Sequence, residues 1–360
     1  MISRLLGSFL VFTVLLADAA CAGEKLVYAV RHKSYDQAII KTEVFSIDPE
    51  TGERELILTD EISPSATSEP LLIYSFPVLA GGEFFACATE RDRYARPIRS
   101  TAAFYEISID DTCAFRQIAP VSRTAPFESV WMNSDGTLTC SVKWLDQKQY
   151  ILIHSTSDGR LVRQIDASDV FMDCYASSVG WLPDSDTLFF SLETGDVHVT
   201  SEESYEKVGT YLMDVNNEEV IRLAALPTSE GYYPPENVRM IGVLPTGEYV
   251  FAMMERKKDV PMEFNKLLLK VDGLGTDGVH TEDISFGEEA KLPVSRAVKY
   301  LISPSGRFIA VINGLTSVAD TSKEIWIKDM PTGDEKVLFS LPIDGLKGPL
   351  MGFVGWLESQ

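Results

Sequence analysis

Histidine and cysteine are scarce in this chain: four and five, respectively, in 360 residues. His32, His154, His198 and His280 are scattered with no HExxH spacing, and no CxxC pair or Cys/His cluster occurs, so no zinc site is expected. Asp184-Ser185-Asp186 and the acidic stretch 277–283 lack calcium-loop spacing and read as solvated turns; no metal or cofactor is expected. There is no G-x-S-x-G elbow and no phosphate-cradling glycine loop. Basic residues are outnumbered 32 to 53, and a net charge of −21 repels phosphate backbones, so no nucleic-acid partner is expected. Long apolar runs are absent except for thirteen residues at 5–17, short of the roughly 20 that span a bilayer, so no transmembrane segment is expected. At 45% hydrophobic residues the chain is too apolar to be disordered.

The N-terminal run fits a secretory signal over residues 1–22. Arg4 supplies the positive start, and Ala20-Cys21-Ala22 the small-residue cleavage motif, leaving Gly23 as the new terminus. Ala17-Asp18-Ala19 is a second option. Cys21 raises lipidation as an alternative, which Asp18, three residues before it, disfavours. An exported product, periplasmic or secreted, is expected. Cleavage leaves Cys87, Cys113, Cys140 and Cys174, an even count that permits two disulfides in three connectivities.

What is abundant is internal repetition. A turn followed by an apolar strand occurs as VLAGGEFFACATE (78–90), MNSDGTLTCSVKW (132–144), WLPDSDTLFFSLE (181–193), VLPTGEYVFAMME (243–255) and ISPSGRFIAVING (302–314). A strand, a Gly/Asp turn and a second strand alternate with it, from EVFSIDPETGERELIL (43–58) to EIWIKDMPTGDEKVLF (324–339). Gly, Asn and Asp stand where tight turns need positive φ. Four antiparallel strands per repeat, at a period of about 50–60 residues, describe a β-propeller blade. A chain of this length suggests two or three domains, but stacked blades share one core, so 23–360 reads as a single all-β domain. The second motif occurs six times and the first only five. The sixth begins at Gly352-Phe353-Val354-Gly355-Trp356-Leu357, where the chain stops, and KLVYAVR (25–31) is its continuation. The expectation is six blades, closed by the C-terminal strand completing the N-terminal blade.

Ser303-Pro304-Ser305-Gly306-Arg307-Phe308-Ile309-Ala310-Val311 and Asp329-Met330-Pro331-Thr332-Gly333 resemble the TolB-like propellers, whose blades carry a W-S-P-D-G-[KR]-x-I-A-[FV] signature and a D-x-x-T-G turn. Trp181-Leu182-Pro183-Asp184 and Trp356-Leu357 are weaker echoes. Ser305 stands where the signature has Asp, and blade two has Ala80-Gly81-Gly82. The resemblance implies a six-bladed propeller in a bacterial envelope.

In such a blade the a–b and c–d turns leave one face, and the b–c segments and blade connections leave the other. Here the former are short, while b–c segments 32–41, 90–100, 194–209, 256–265 and 314–323 and connections 59–73, 119–129, 166–178 and 226–239 are long; only 145–148 is brief. Long loops on a rigid scaffold are where function collects. Glu90-Arg91-Asp92-Arg93-Tyr94-Ala95-Arg96-Pro97-Ile98-Arg99 puts four arginines in ten residues of an acidic protein, with Arg31, His32, Lys33 and Tyr35 on the neighbouring blade's loop and Arg123 on the next connection. Arg91, Arg93, Tyr94, Arg96, Arg99 and Arg123 are the candidate contacts for a protein partner or an anionic ligand. Tyr232 and Tyr233, beside Pro234 and Pro235, are a second candidate group. The bland alternative is a solvated loop whose arginines pair with surface acids.

No catalytic constellation is visible. The reading is a non-enzymatic, monomeric binding or scaffold module. The alternative is a small propeller enzyme, a hydrolase or lyase on a sugar or peptide with a divalent metal in the channel, because distant blades can converge there.

Overall fold

The computed structural model describes residues 23–33, 39–61, 72–73, 78–80, 83–89, 103–107, 115–120, 130–133, 135–145, 148–166, 174–182, 186–194, 209–217, 219–223, 229–232, 237–258, 260, 264–272, 280–287, 290, 299–313, 322–343 and 349–357. The expected leader, 1–22, lies outside them.

Alternating apolar and polar residues broken by turn chemistry give, among the described residues, twenty-five strands in six sheets. Sheet one holds β1 (Lys25–Lys33), β2 (Ile39–Ile47) and β3 (Arg54–Glu61). Sheet two holds β4 (Leu72–Ile73), β5 (Val78–Ala80), β6 (Glu83–Thr89), β7 (Ala103–Ile107) and β8 (Phe115–Pro120). Sheet three is β9 (Val130–Met132), β10 (Leu138–Leu145), β11 (Lys148–Ser155) and β12 (Leu161–Asp166). Sheet four is β13 (Cys174–Trp181), β14 (Thr187–Thr194), β15 (Gly209–Asp214) and β16 (Val220–Arg222). Sheet five is β17 (Asn237–Val243), β18 (Tyr249–Arg256), β19 (Phe264–Asp272) and β20 (His280–Asp283). Sheet six is β21 (Lys299–Ile302), β22 (Phe308–Ile312), β23 (Ser322–Asp329) and β24 (Glu335–Pro342). The C-terminal β25 (Leu350–Leu357) returns to sheet one, giving the order β25-β1-β2-β3. Its register against β1 runs from Lys25↔Leu357 to Arg31↔Leu350.

Five of these sheets are four-stranded antiparallel blades, not the six expected. Sheet two departs because its first strand is split: β4 pairs with Ala88 and Thr89 of β6, and β5 with Glu83 to Phe85. The chain advances five residues from Ile73 to Val78 while β6 advances three from Phe85 to Ala88, so β4 and β5 are out of step by two residues along β6. Pro77, which has no N–H to donate, lies in that interval of the sequence.

Strand periodicity explains the packing between sheets. On β1, Leu26, Tyr28 and Val30 join Ala310, Ile312 and Ile325 of sheet six. The alternate residues Val27 and Ala29 join Phe84, Ala86 and Ile107 of sheet two. Cys140 and Ile153 meet Val179 and Phe190 between sheets three and four. Phe189 and Leu212 meet Phe251 and Met253 between four and five, and Val250 and Leu268 meet Ile309 and Tyr300 between five and six. Apolar packing thus runs unbroken from sheet three through sheet six to sheet one and on to sheet two. Fully burying one such side chain stabilises by roughly 1.5–3 kcal/mol. The last strands of sheets one, three, four and six carry exposed apolar side chains: Leu56, Leu161, Ile221 and Val337 lie on β3, β12, β16 and β24.

Candidate functional site

Antiparallel order places every a–b and c–d turn at one end of its sheet and every b–c segment at the other. The turn end is chemically closed upon itself. Asp48 Oδ1 accepts the N–H groups of Glu50 and Thr51, both at 2.8 Å, and Thr51 Oγ1 accepts Glu53 N–H at 3.2 Å. The second D-x-x-T-G turn repeats the pattern: Asp329 Oδ1 accepts Thr332 N–H at 3.4 Å, and Thr332 Oγ1 accepts Asp334 N–H at 3.1 Å. Gly52 and Gly333 both sit at φ 74°, the left-handed region that favours glycine. Asp135, Asp158 and Asp214 cap their own turns in the same way. These N–H bonds hold the Asp48 carboxyl below its usual range against the opposing effect of burial.

At the opposite end the described side chains are arranged differently. Arg31, near the end of β1, is buried at 4% exposure. It lies on the face of β1 that carries Val27 and Ala29, turned toward sheet two. On the other face of β1, His32 Nε2 lies 2.8 Å from Glu43 Oε2, and Lys41 Nζ lies 2.8 Å from Glu43 Oε1. Burial pushes the Glu43 carboxyl up, but hydrogen bonds and charge from Lys41 and His32 together outweigh it and hold the group below its usual value. On sheet six, Glu324 accepts Trp326 Nε1–H at 2.9 Å and Ser322 Oγ–H at 3.2 Å, and its N–H donates to Asn313 Oδ1 at 2.6 Å. On sheet five, Glu255 is fully buried near the end of β18, and its Oε1 accepts Ser229 N–H at 2.8 Å.

Of the residues singled out in the sequence, Arg91, Arg93, Tyr94, Arg96, Arg99, Arg123 and Tyr233 lie outside the described residues. Tyr232 is described. It is half-buried, its N–H donates to Ser229 O at 3.2 Å, and it bridges Lys257. The long b–c segments are largely outside the described residues as well, but the brief one is as expected: Leu145 pairs with Lys148.

Arg31 was grouped in the sequence with the arginine cluster, on the neighbouring blade, whereas Glu24, Glu43 and Glu255 were not singled out by pattern. Arg31 and Glu255 do leave one trace, a charge on the apolar face of a strand, at the ends of KLVYAVR and YVFAMMER. Cys140 is a free, buried thiol, so it takes no part in the disulfides that the even cysteine count permits. It packs among Ile151, Ile153 and Trp181, and burial pushes its thiol far up from the usual value. His154 lies within β11 as expected, and burial lowers its pKa. Among the described residues no three His, Cys, Asp or Glu side chains converge in a way that could hold a metal ion, and no helix is long and apolar enough to cross a membrane.

No protein-family model matches the chain, and no curated protein matches it. Among solved structures, TolB from Acinetobacter baumannii superposes with a TM-score of 0.54 at 14% identity, over 94% of this chain and 66% of that one. The fold is a TolB-like β-propeller. The propeller therefore spans just under two thirds of the Acinetobacter protein's length. A putative TolB from Agrobacterium tumefaciens aligns at TM-score 0.49 and 14% identity, over 92% of this chain and 98% of that one. An oligogalacturonate lyase in complex with manganese aligns at TM-score 0.46 and 11% identity, over 86% and 77%. At such identities the likeness is one of fold.

Proposed function

We propose that the chain is an exported, monomeric, TolB-like propeller whose blades form a closed ring. In this reading it is a non-enzymatic binding or scaffold module that takes a protein partner or an anionic ligand on its long-loop face. Closure requires sheets two and three to pack as the other neighbouring sheets do. The leader 1–22 sends it to the periplasm or outside the cell.

The observation that carries this reading is the placement of Arg31. It is turned toward sheet two at the end where β6 stops at Thr89, one residue before Glu90-Arg91-Asp92-Arg93 begins. In this reading the arginines after Thr89 join Arg31 at one blade junction, where guanidinium groups suit planar carboxylate or phosphate groups. The turn end offers less, because its capping carboxylates and hydroxyls are engaged by their own backbone.

The test is capture from an envelope extract by the wild type and by an Arg91→Ala/Arg93→Ala/Arg96→Ala variant, with Glu53→Ala at the turn end as control. The triple variant is expected to recover at least about tenfold less of the wild-type partner, as loss of charge-assisted contacts predicts, and the control an equal amount. Equal capture by the triple variant contradicts the reading.

A further inference from the structure

Glu255 occupies a position whose neighbours along the strand are apolar. Phe251 and Met253, on the same face of β18, belong to the cluster between sheets four and five, and Glu255 continues that face with a fully buried carboxylate. One oxygen accepts Ser229 N–H at 2.8 Å. The other is buried without a hydrogen bond. A buried carboxylate half satisfied in this way is destabilising relative to an apolar side chain of similar volume. Core packing alone therefore gives no reason for Glu at this position.

Its partner supplies one. Ser229 belongs to the connection 226–239 that leads into sheet five, and Glu255 stands where the b–c segment 256–265 leaves it. Two further contacts join these stretches: Lys258 N–H donates to Gly231 O at 2.8 Å, and Tyr232 bridges Lys257. Tyr232 N–H closes the turn by donating to Ser229 O at 3.2 Å. Glu255 is the only side chain among these contacts; the others run from backbone to backbone.

We infer that Glu255 is a positioning residue, which fastens the connection to the b–c segment so that Tyr232 is held fixed for a partner on the long-loop face. The inference rests on the binding reading above and adds an internal anchor to it. The carboxylate costs stability in the core and in return fixes a segment that backbone contacts alone would leave looser.

The experiment compares full-length wild type, Glu255→Gln and Glu255→Met by thermal unfolding, amide hydrogen exchange and envelope capture. Glu255→Gln keeps an oxygen acceptor for Ser229 and is expected to exchange within about threefold of wild type at Ser229, Tyr232 and Lys258. Glu255→Met fills the same volume without an acceptor. It is expected to melt at or above the wild-type temperature, yet to exchange those three amides at least about tenfold faster, the loss of one charge-assisted bond, and to capture proportionately less partner. A lower melting temperature with exchange raised uniformly across sheet five would make Glu255 a purely structural residue and overturn the inference. So would selective exchange with undiminished capture, and in that case the binding reading itself stands. If the wild type captures nothing, the binding reading fails, and unchanged exchange in Glu255→Met would separately show that no anchor exists.

Discussion

Glu24 and Ser305, 281 residues apart in the chain, hold each other through two hydrogen bonds. Glu24 Oε1 accepts Ser305 N–H at 2.6 Å, and Glu24 Oε2 accepts Ser305 Oγ–H at 2.7 Å. Glu24 immediately precedes β1, and Ser305 lies in the turn between β21 and β22, so the pair ties the start of sheet one to sheet six. Ser305 is the residue at which this sequence departs from the Asp of the blade signature, and the carboxylate comes instead from the far end of the chain. Glu24→Ala removes the acceptor for a half-buried N–H and is expected to cost about 1.5–3 kcal/mol in urea unfolding. Ser305→Asp, which restores the signature, is expected to destabilise because it sets two carboxylates against each other, and Glu24→Gln is expected to recover most of the loss. A stabilising Ser305→Asp in the presence of Glu24 would contradict this account.

Arg307 reinforces the same junction. Its Nε and one Nη bind Asp329 Oδ2 at 3.1 and 3.0 Å, and its other Nη binds Glu50 Oε1 at 2.6 Å, joining turns of sheets six and one. Lysine cannot make the paired contact. Arg307→Lys is expected to cost about 0.5–1 kcal/mol because the group is partly exposed, and less at high salt. Unfolding at 0.05 and 0.5 M NaCl checks both parts.

The edge strand β25 of sheet one approaches sheet two closely at Gly355. A Cβ there would lie 2.8 Å from Leu79 Cβ and 3.5 Å from the Leu79 carbonyl oxygen, neither of which can rotate away. Gly355→Ala is expected to cost about 1–3 kcal/mol. Gly287→Ala, whose Cβ would meet only Glu335 Oε2 at 3.5 Å, is expected to change stability by no more than about 0.5 kcal/mol. Equal effects would mean that the approach of β25 to β5 is looser than this.

Acid should act on sheet one through Glu43. Its carboxyl is held below the ordinary value, so its contribution to stability is complete above the unfolded-state value of about 4.3 and is lost as pH falls through the lower folded value. Glu43→Gln removes that contribution and is expected to flatten the stability profile below about pH 4.5. Urea midpoints for both proteins between pH 3 and pH 6 measure the difference.

The Cys140 thiol, fully buried and pushed far up by burial, is expected to resist iodoacetamide at pH 8 in the folded protein and to react once urea unfolds it. Peptide mapping of Cys140 reads the outcome directly.

The parts legible in the sequence are those set by local chemistry. The turns at Asp48 and Asp329 are readable because Asp, Thr and Gly each satisfy or relax backbone within five residues. The pairing of β25 with β1 is readable because half of a repeat is missing at each terminus. The split of sheet two is not, since it depends on a count of residues opposite β6 and not on any motif. The Glu24–Ser305 contact is not readable either, because each residue looks ordinary in its own neighbourhood. An even cysteine count permits two bridges or none, because counting carries no geometry, and Cys140 is a free thiol within an apolar cluster. Glu255 reads as the polar end of a strand until its burial and its bond to Ser229 are known.

The central claim is that partners engage the long-loop face, and lysine-specific cross-linking in envelope extract followed by peptide mapping tests it most directly. Lys33, Lys257 and Lys258 lie at that end of sheets one and five, while Lys25 and Lys336 lie at the turn end, where Lys336 Nζ donates to Glu50 O at 3.0 Å. The account predicts intermolecular cross-links at Lys33, Lys257 and Lys258 that disappear in the Arg91→Ala/Arg93→Ala/Arg96→Ala variant. Cross-links concentrated at Lys25 and Lys336, and indifferent to the arginines, would contradict it.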